Sequence, residues 1–253
     1  MLMQTVSLYD TLDICRSDVP VFICDGCVQP EPEKNLAWQA YMAVCSKTGI
    51  DLKARIELKK QIPSAAGLGG GSSDCAGVLM ALNKLYDLGL SRNELDGLAI
   101  SLGADVPFFL EGGLCRVRGI GEQVEKLNCS FAYPLLIVHC GNGLSTPEVY
   151  KQYDVISNGR NAKPAMSTDE IFNSLRSGSL QCLNKLELNQ LEAASASMMP
   201  DIDQVKRRMY ENGALFSQMS GSGSAVYAVF ETKEAAYKAA VEFSGSYVCE
   251  TLL

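Results

Sequence analysis

The sequence predicts an α+β protein with two lobes of similar size, and three observations support this. Segments with strand periodicity and segments with helix periodicity alternate along the whole chain. A polar stretch at residues 154–167, rich in Gly, Asn, Lys and Pro, interrupts them and favours a domain junction. The 253 residues, 47% of them hydrophobic, suffice for one large or two small well-filled cores. We therefore predict an N-terminal lobe over residues 1–153 and a C-terminal lobe over residues 154–253.

The first elements of the chain are predicted from their hydrophobic patterns. Gln4–Tyr9 alternates in hydrophobicity and Val19–Cys24 is apolar and β-branched, so both predict short strands. Apolar positions at helical spacing predict a helix over Asn35–Thr48, with Gly49 as its C-cap. Leu52–Leu58 alternates strictly, which predicts a strand with one buried face. That strand leads directly into a glycine-rich segment.

The rest of the chain alternates in the same way. Ser72–Leu88 carries a buried stripe at helical spacing and predicts a long helix. Ser91 and Glu94 form a capping box, which predicts the start of a second helix. Further strands are predicted at 114–117, 134–139, 214–218, 225–230 and at the C-terminus, and further helices at about 168–177, 186–198, 201–212 and 234–243.

Charge and hydropathy exclude several classes of partner. The net charge is −7 and the pI is about 4.9, so the chain does not attract a nucleic-acid backbone or an anionic membrane. The first ten residues carry no secretion signal, and the longest nearly apolar run, Phe131–Cys140, is about half as long as a membrane span requires. We expect a cytoplasmic protein that acts on a small molecule, with no nucleic-acid or membrane partner.

Ten cysteines could indicate a metal site or a disulfide framework, but their spacing fits neither. Cys24 and Cys27 form the only CxxC, and a structural zinc site needs two further ligands. The chain has one histidine and no second cysteine pair. We therefore predict no metal site, and reduced cysteines that serve as small core residues.

The segment Pro63–Asp74, PSAAGLGGGSSD, is predicted to bind phosphate groups. Four glycines within five residues let backbone amides approach a polyphosphate, and the following helix adds unpaired N–H groups and its positive dipole end. No Gly-Lys-Ser/Thr follows, so this is not a Walker A loop, and the dinucleotide fingerprint also fits poorly. The alternative is a turn without a ligand, but such a turn needs only one or two glycines.

Two motifs make this sequence similar to the GHMP kinase family. PSAAGLGGGSSD resembles the family's central phosphate motif, and MSGSGSAVYAVF at 219–230 resembles its C-terminal glycine motif. The resemblance implies a two-lobed fold, with an N-terminal lobe like domain 2 of ribosomal protein S5 and a ferredoxin-like C-terminal lobe. Other segments narrow the resemblance within the family: MQTVSLYDTLDI at 3–14, Asn35-Leu36, GADVPFFLEGG at 103–113, GIGE at 119–122, LSTPEVY at 144–150 and LEAAS at 191–195.

The resemblance implies an ATP-dependent kinase of a cytidine-diphosphate-linked alcohol. The expected reaction transfers the γ-phosphoryl group of ATP, bound with Mg²⁺, to the 2-hydroxyl of 4-diphosphocytidyl-2-C-methyl-D-erythritol in non-mevalonate isoprenoid biosynthesis. Asp105 matches the family's catalytic aspartate and would accept or orient the hydroxyl proton. From the residues alone, Asp105 could equally be a helix cap in a Gly-Ala-Asp-Val-Pro turn.

Binding residues follow from the same resemblance. Each role implied by the resemblance has an alternative that the residues alone allow: Lys60 as an exposed strand-end lysine, Tyr150 as a half-buried core residue and Asn35 as an N-cap. Asp74 is expected to stabilise a helix N-terminus, and residues 220–224 are alternatively a tight hairpin. The expected nucleotide contacts are Asn35, Lys60, Pro63, Ser64, Ala65, Ala66, Gly67, Leu68, Gly69, Gly70, Gly71, Ser72 and Ser73. The expected substrate contacts are Thr146, Tyr150, which would stack on cytosine, and Gly221, Ser222 and Gly223.

The sequence departs from the family pattern at its start. Family members usually begin with a Lys-Ile-Asn-Leu strand and an Asp-Gly-Tyr-His turn, and this chain begins after both. One expectation is that Met1 is an internal methionine of a longer protein, which the intact motifs favour. The other is a truncated chain of low activity. A smaller departure is Gln190, which stands where an Asp is expected beside Asn189.

The competing functions are a nucleotide- or metabolite-binding relative without catalysis, and a GHMP kinase of another small alcohol.

Overall fold

The computed structural model describes residues 1–26, 31–141, 143–158, 165–184, 186 and 188–253. The chain divides into two units. The first comprises Met1–Ser64 and Gly69–Leu127, and the second Ala65–Leu68 and Asn128–Leu253. The division lies before the boundary predicted between residues 153 and 154. The reason is the strand Pro134–His139, which pairs with two strands from the C-terminal part of the chain.

In its described residues the first unit contains two three-stranded sheets and four helices. Its central strand β4 pairs antiparallel with β2 and parallel with β3, and β5 lies between β1 and β6 in a separate antiparallel sheet. The strands are β1 (Leu2–Gln4), β2 (Thr11–Arg16), β3 (Val21–Asp25), β4 (Ala54–Lys59), β5 (Leu114–Arg118) and β6 (Gln123–Lys126). The helices are α1 (Leu36–Thr48), α2 (Gly70–Leu85), α3 (Arg92–Leu102) and α4 (Val106–Glu111), with a 3₁₀ turn at Pro32–Lys34.

The core of the first unit lies between β4 and the helices α1 and α2. Alternate residues of β4 are buried, among them Ile56 and Leu58, as strict alternation predicts. They pack with Val44 of α1 and Leu79 of α2 in one cluster. This packing fixes the end of β4 and the start of α2, which the glycine-rich segment connects.

Helix ends were better predicted than the first strands. Asn35 caps α1, Gly49 ends it in the left-handed conformation, and the Ser91 capping box is present. The strand predicted over Gln4–Tyr9 is wrong, since the chain changes sheets there. Gln4 pairs with β5 in one sheet, and Thr11 pairs with β4 in the other. Alternating hydrophobicity does not reveal which sheet a residue joins.

The part of the second unit that the structure describes contains one antiparallel sheet in the order β10-β7-β9-β8 and five helices. The helix predicted at 186–198 is shorter and begins at Glu192. The strands are β7 (Pro134–His139), β8 (Phe216–Met219), β9 (Ala225–Val229) and β10 (Tyr247–Glu250). The helices are α5 (Thr146–Ser157), α6 (Thr168–Ser177), α7 (Glu192–Met198), α8 (Asp201–Glu211) and α9 (Lys233–Ala240), with a 3₁₀ turn at Leu180–Leu183. Leu136, Ile202, Val226 and Phe230 belong to its core.

The cysteines follow the prediction only in part, because the free thiols of Cys15 and Cys182 are exposed and do not serve as core residues. Eight are free thiols, half of them buried. Cys24 instead forms a disulfide, so the prediction of reduced cysteines is wrong there. Cys27, the other half of the predicted CxxC, lies outside the described residues. None of the helices in the described part of the chain is both long and apolar enough to cross a bilayer.

Candidate active site

The glycine-rich segment ends at the N-terminus of helix α2. Gly69 caps the helix in the left-handed conformation (φ +69°), and a Cβ there would lie 2.6 Å from Cζ of Phe109. Helix α2 begins at Gly70, two residues before the predicted start. Among the described residues, the N–H groups of Gly70, Gly71 and Ser72 have no acceptor. Three free amides at a helix N-terminus form an anion-binding arrangement.

The middle of the same segment, Ala65–Leu68, belongs to the second unit. The carbonyl of Ala66 accepts the N–H of Ala225 at 2.9 Å, and the carbonyl of Gly67 accepts the hydroxyl of Ser220 at 2.7 Å. Gly67 has a positive φ of +73°, and a Cβ there would lie 2.2 Å from the carbonyl oxygen of Ser220. Close approach of two backbone segments therefore requires glycine at this position.

A buried ionic cluster lies where β4 leads into the loop. The ammonium of Lys60 pairs with the carboxylates of Asp10 and, at 2.6 Å, Asp74. The lysine side chain is 10% exposed and the two aspartates less. The second oxygen of Asp10 accepts the N–H groups of Gln61 (2.5 Å) and Ile62 (2.9 Å). The cluster thus links the chain just before the loop to the first turns of α2.

The cluster determines the electrostatics of this region. Burial raises the pKa of the Asp74 carboxyl to about 6, against the opposing effect of the Lys60 ammonium. Lys60 was predicted to contact the nucleotide, but in this structure two carboxylates bind its ammonium. Asp74 was predicted to stabilise the helix N-terminus electrostatically, which stays a prediction; its carboxylate also pairs with Lys60. Asp10 was not predicted as a site residue, because its partner Lys60 is fifty residues away and no local pattern connects the two.

Asp105 presents a carboxylate without a partner. It occupies the N-cap position of α4, as the helix-cap alternative suggested, but its side chain makes no capping hydrogen bond. It forms no hydrogen bond or ion pair with any residue in the described ranges, and burial raises its pKa above the ordinary value. Helix α4 packs on the start of α2 through the contact of Phe109 with Gly69. The carboxylate is therefore carried on a helix in contact with the N-terminus of α2, where the free amides lie.

A second turn fixes the backbone beside Asp105. Gly121 lies so close to the carbonyl of Ala104 that a Cβ would lie 1.9 Å from its oxygen. The turn is held by Glu122, whose carboxylate accepts the N–H of Ile120 at 2.7 Å. The GIGE motif was noted in the sequence without a role. Its position gives it one, since it packs on the residue that precedes Asp105.

The second unit carries the remaining predicted residues. The hydroxyls of Thr146 and Ser222 are hydrogen-bonded at 2.8 Å, so the start of α5 contacts the turn between β8 and β9. That turn is also the tight hairpin of the alternative, with the N–H of Gly223 bonded to the carbonyl of Ser220 at 2.9 Å. Tyr150 is 54% exposed, which excludes the core alternative; Val149 is the buried residue.

Asn35 has a clear structural role in the first unit. Its side-chain oxygen accepts the N–H of Ala37 at 2.9 Å, as an N-cap does. This is the alternative that the sequence left open. A nucleotide contact through the same side chain stays a prediction.

Comparison with known proteins identifies the family of this chain. Residues 35–113 match the family model described as GHMP kinases N terminal domain, and residues 171–249 match GHMP kinases C terminal. The 4-diphosphocytidyl-2-C-methyl-D-erythritol kinase of Pelobacter propionicus is 40% identical over 100% of this chain and 89% of its own length. The enzyme of the same name from Thermodesulfovibrio yellowstonii is 38% identical over 99% of this chain and 87% of its own.

Solved structures give the same result. A crystal structure of 4-(cytidine 5'-diphospho)-2C-methyl-D-erythritol kinase superposes with a TM-score of 0.82 at 32% identity, covering 99% of this chain and 88% of that one. A homoserine kinase from Cytophaga hutchinsonii, at 22% identity and a TM-score of 0.74, covers 100% of this chain and 89% of its own, and shows the shared fold. The chain is therefore a phosphotransferase of the GHMP kinase family, and within it belongs to the 4-diphosphocytidyl-2-C-methyl-D-erythritol kinases.

Proposed function

We propose that this chain phosphorylates the 2-hydroxyl of 4-diphosphocytidyl-2-C-methyl-D-erythritol with ATP, in non-mevalonate isoprenoid biosynthesis. The names of the relatives support this substrate. The structural observation that carries the catalytic assignment is the half-buried, unpaired carboxylate of Asp105, on a helix packed against an anion-binding helix N-terminus. A kinase needs these two features, since it must bind phosphates and activate a hydroxyl.

The residues of the glycine loop are assigned to the triphosphate. The free N–H groups of Gly70, Gly71 and Ser72 would donate to phosphate oxygens, aided by the dipole of α2. The hydroxyl of Ser73 already donates to the carbonyl of Gly70 at 2.8 Å. The hydroxyl of Ser72 has no partner within the described ranges, so we assign it to phosphate or to the ion carried with the nucleotide.

Mg²⁺ is proposed to enter with ATP. The described residues contain no group of three or more His, Cys, Asp or Glu side chains that could hold a metal ion. This fits an ion bound mainly by the phosphates, with Ser72 as a protein contact. When bound, it would neutralise charge on the transferring phosphoryl group.

Asp105 is assigned as the general base. Its carboxylate would accept the proton of the substrate hydroxyl as the oxygen attacks the γ-phosphorus and the bond from that phosphorus to the β,γ-bridging oxygen breaks, which releases ADP. Burial raises its pKa, so the carboxylate is a stronger base than an exposed aspartate. Tyr150 is assigned to stacking on cytosine, and Thr146 with Gly221, Ser222 and Gly223 to the substrate's phosphate groups.

An ADP-release assay tests the function. We expect ATP-dependent turnover with 4-diphosphocytidyl-2-C-methyl-D-erythritol and little with homoserine or mevalonate. Turnover only with one of the latter would reject the substrate and keep the family. ATP binding by calorimetry without phosphoryl transfer would support the non-catalytic alternative.

A substitution at Asp105 tests the mechanism. Asp105→Asn is expected to lower kcat by roughly 10²–10⁴-fold, the usual contribution of a general base, with ATP affinity within twofold of wild type. Asp96→Asn is the matched control, because this aspartate lies on the exposed surface of α3 in a pair with Arg92. Unchanged turnover in the Asp105 variant would remove this residue from the mechanism.

A further inference from the structure

Two side chains outside the predicted site hold the carbonyl groups of the turn between β8 and β9. The amide nitrogen of Asn189 donates to the carbonyls of Met219 (3.0 Å) and Gly221 (2.8 Å). The hydroxyl of Ser195, which is fully buried, donates to the carbonyl of Ser222 at 3.0 Å. Side chains thus supply the hydrogen bonds that a sheet would give to a regular strand.

The side chain of Asn189 is itself held in place by its neighbours. The side-chain oxygen of Asn189 accepts the N–H of Leu191 at 3.1 Å, which fixes the orientation of the amide. The carboxylate of Glu192 accepts the N–H of Met219 at 2.9 Å and forms an ion pair with Lys206. The carbonyl and the N–H of Met219 are therefore both bonded to side chains of residues 189–192.

These bonds determine which groups of the turn stay free. The carbonyls of Ser220, Gly221 and Ser222 all have donors. The N–H groups of Gly221 and Ser222 have no acceptor in the part of the chain that the structure describes. In a planar trans peptide the carbonyl and the next N–H point in opposite directions. The bond from Asn189 to the Gly221 carbonyl therefore directs the Ser222 N–H away from Asn189.

We infer that Asn189 is a positioning residue, which directs the Ser222 N–H toward a phosphate group of the nucleoside-diphosphate substrate. This inference rests on the proposed function of the turn. Asn189 does not touch the substrate; it acts through the backbone that does. Ser195 binds the carbonyl of the next peptide, whose N–H, that of Gly223, closes the turn on the carbonyl of Ser220. The hydroxyl pair of Thr146 and Ser222 adds a further donor.

Asn189→Asp separates this role from general stability. The carboxylate keeps the shape of the amide but cannot donate, and it repels both carbonyls. We expect the KM for the cytidine-diphosphate substrate to rise about tenfold or more, which matches the loss of one or two hydrogen bonds. The KM for ATP and kcat should stay within twofold of wild type. Asn212→Asp is the matched control, since Asn212 donates to the carbonyl of Arg208 at 2.8 Å on an exposed helix end; its kinetic constants should not change.

Hydrogen exchange gives a readout that does not depend on the substrate. In Asn189→Asp, the N–H of Gly223, which closes the turn on the carbonyl of Ser220, should exchange at least several-fold faster than in wild type. Ser195→Ala removes one buried hydroxyl donor. It should also accelerate exchange of the Gly223 N–H, but by a smaller factor. The control at Asn212 should exchange as wild type does.

The outcomes distinguish the inference from the proposed function. A wild-type enzyme without turnover of this substrate would reject the function, while the exchange data would still decide whether Asn189 orders the turn. Equal changes in both KM values, or a lower Tm with unchanged exchange at Gly223, would overturn the positioning role.

Discussion

The Nζ atom of Lys60 lies 2.6 Å from Oδ2 of Asp74, and this contact joins the residue before the glycine loop to the helix that follows it. Asp10 binds the same ammonium, so one cation faces two buried carboxylates. The cluster brings together both ends of a loop that would otherwise depend on its glycines for its shape. We therefore expect the charges of this cluster to contribute to the stability of the fold, and two predictions test this.

Removing the cation should destabilise the fold. Lys60→Met leaves the buried carboxylates of Asp10 and Asp74 without a counter-charge, which is expected to lower the free energy of unfolding by about 3–5 kcal/mol. Lys60→Arg keeps the charge and should lose less than half of that. Urea unfolding measures both. A stable Lys60→Met protein with weak ATP binding would instead favour the nucleotide contact predicted from the sequence.

The raised pKa of Asp74 should make stability depend on pH. Its pKa is about 6 in the folded protein and 3.8 as the ordinary value, so between these pH values the folded state binds more protons than the unfolded state. The free energy of unfolding therefore falls as pH rises from about 4 to about 6. Asp74→Asn should remove this component of the pH dependence. Parallel stability curves for the variant and wild type over this range would contradict the assignment.

Gly121 is expected to be essential for the geometry beside Asp105. A Cβ at Gly121 would lie 1.9 Å from the carbonyl oxygen of Ala104, and its φ of +124° disfavours any other residue. Gly121→Ala should lower kcat at least tenfold by displacing that backbone. Gly97→Ala is the control: this exposed helical glycine has open space around it, and the change should stabilise by roughly 0.5–1 kcal/mol. Normal turnover in Gly121→Ala would show that catalysis tolerates a displacement of the backbone at Ala104, beside Asp105.

Tyr150, whose ring is exposed, is the residue that we propose stacks on the cytosine base. Tyr150→Ala should raise the KM for the cytidine-diphosphate substrate about 5- to 150-fold, which corresponds to a stacking contribution of roughly 1–3 kcal/mol. Tyr237 on α9 is 56% exposed, against 54% for Tyr150, so Tyr237→Ala is a matched control. An equal effect of both substitutions would show that ring exposure, not base recognition, explains the change.

Features encoded within a few residues were predictable from the sequence. The cap of α1 by Asn35 and the capping box of α3 are local hydrogen bonds. The glycine loop is recognisable from its glycine content alone. Asp105 was located by resemblance. The structure shows in addition that its carboxylate is partly buried and has no partner among the described residues, which the sequence could not reveal.

Features that join distant residues were not predictable. Asp10 and Lys60 are fifty positions apart, and Asn189 supports a turn about thirty positions away. Nothing in a linear pattern distinguishes these polar residues from solvated ones, because their partners are set by the folded topology. The early sheet change between Gln4 and Thr11 belongs to the same class, since strand pairing depends on residues more than forty positions away.

The assignment of Ala65–Leu68 to the second unit has a consequence for modularity. The chain leaves the first unit after Ser64, returns to it at Gly69, and leaves again after Leu127. A fragment that starts at Asn128 would lack Ala66, whose carbonyl accepts the N–H of Ala225 at the start of β9. No single peptide bond separates the two units, so recombination cannot exchange one of them by a single crossover. Any exchange of the second unit between relatives must therefore also carry Ala65–Leu68 of the glycine-rich segment.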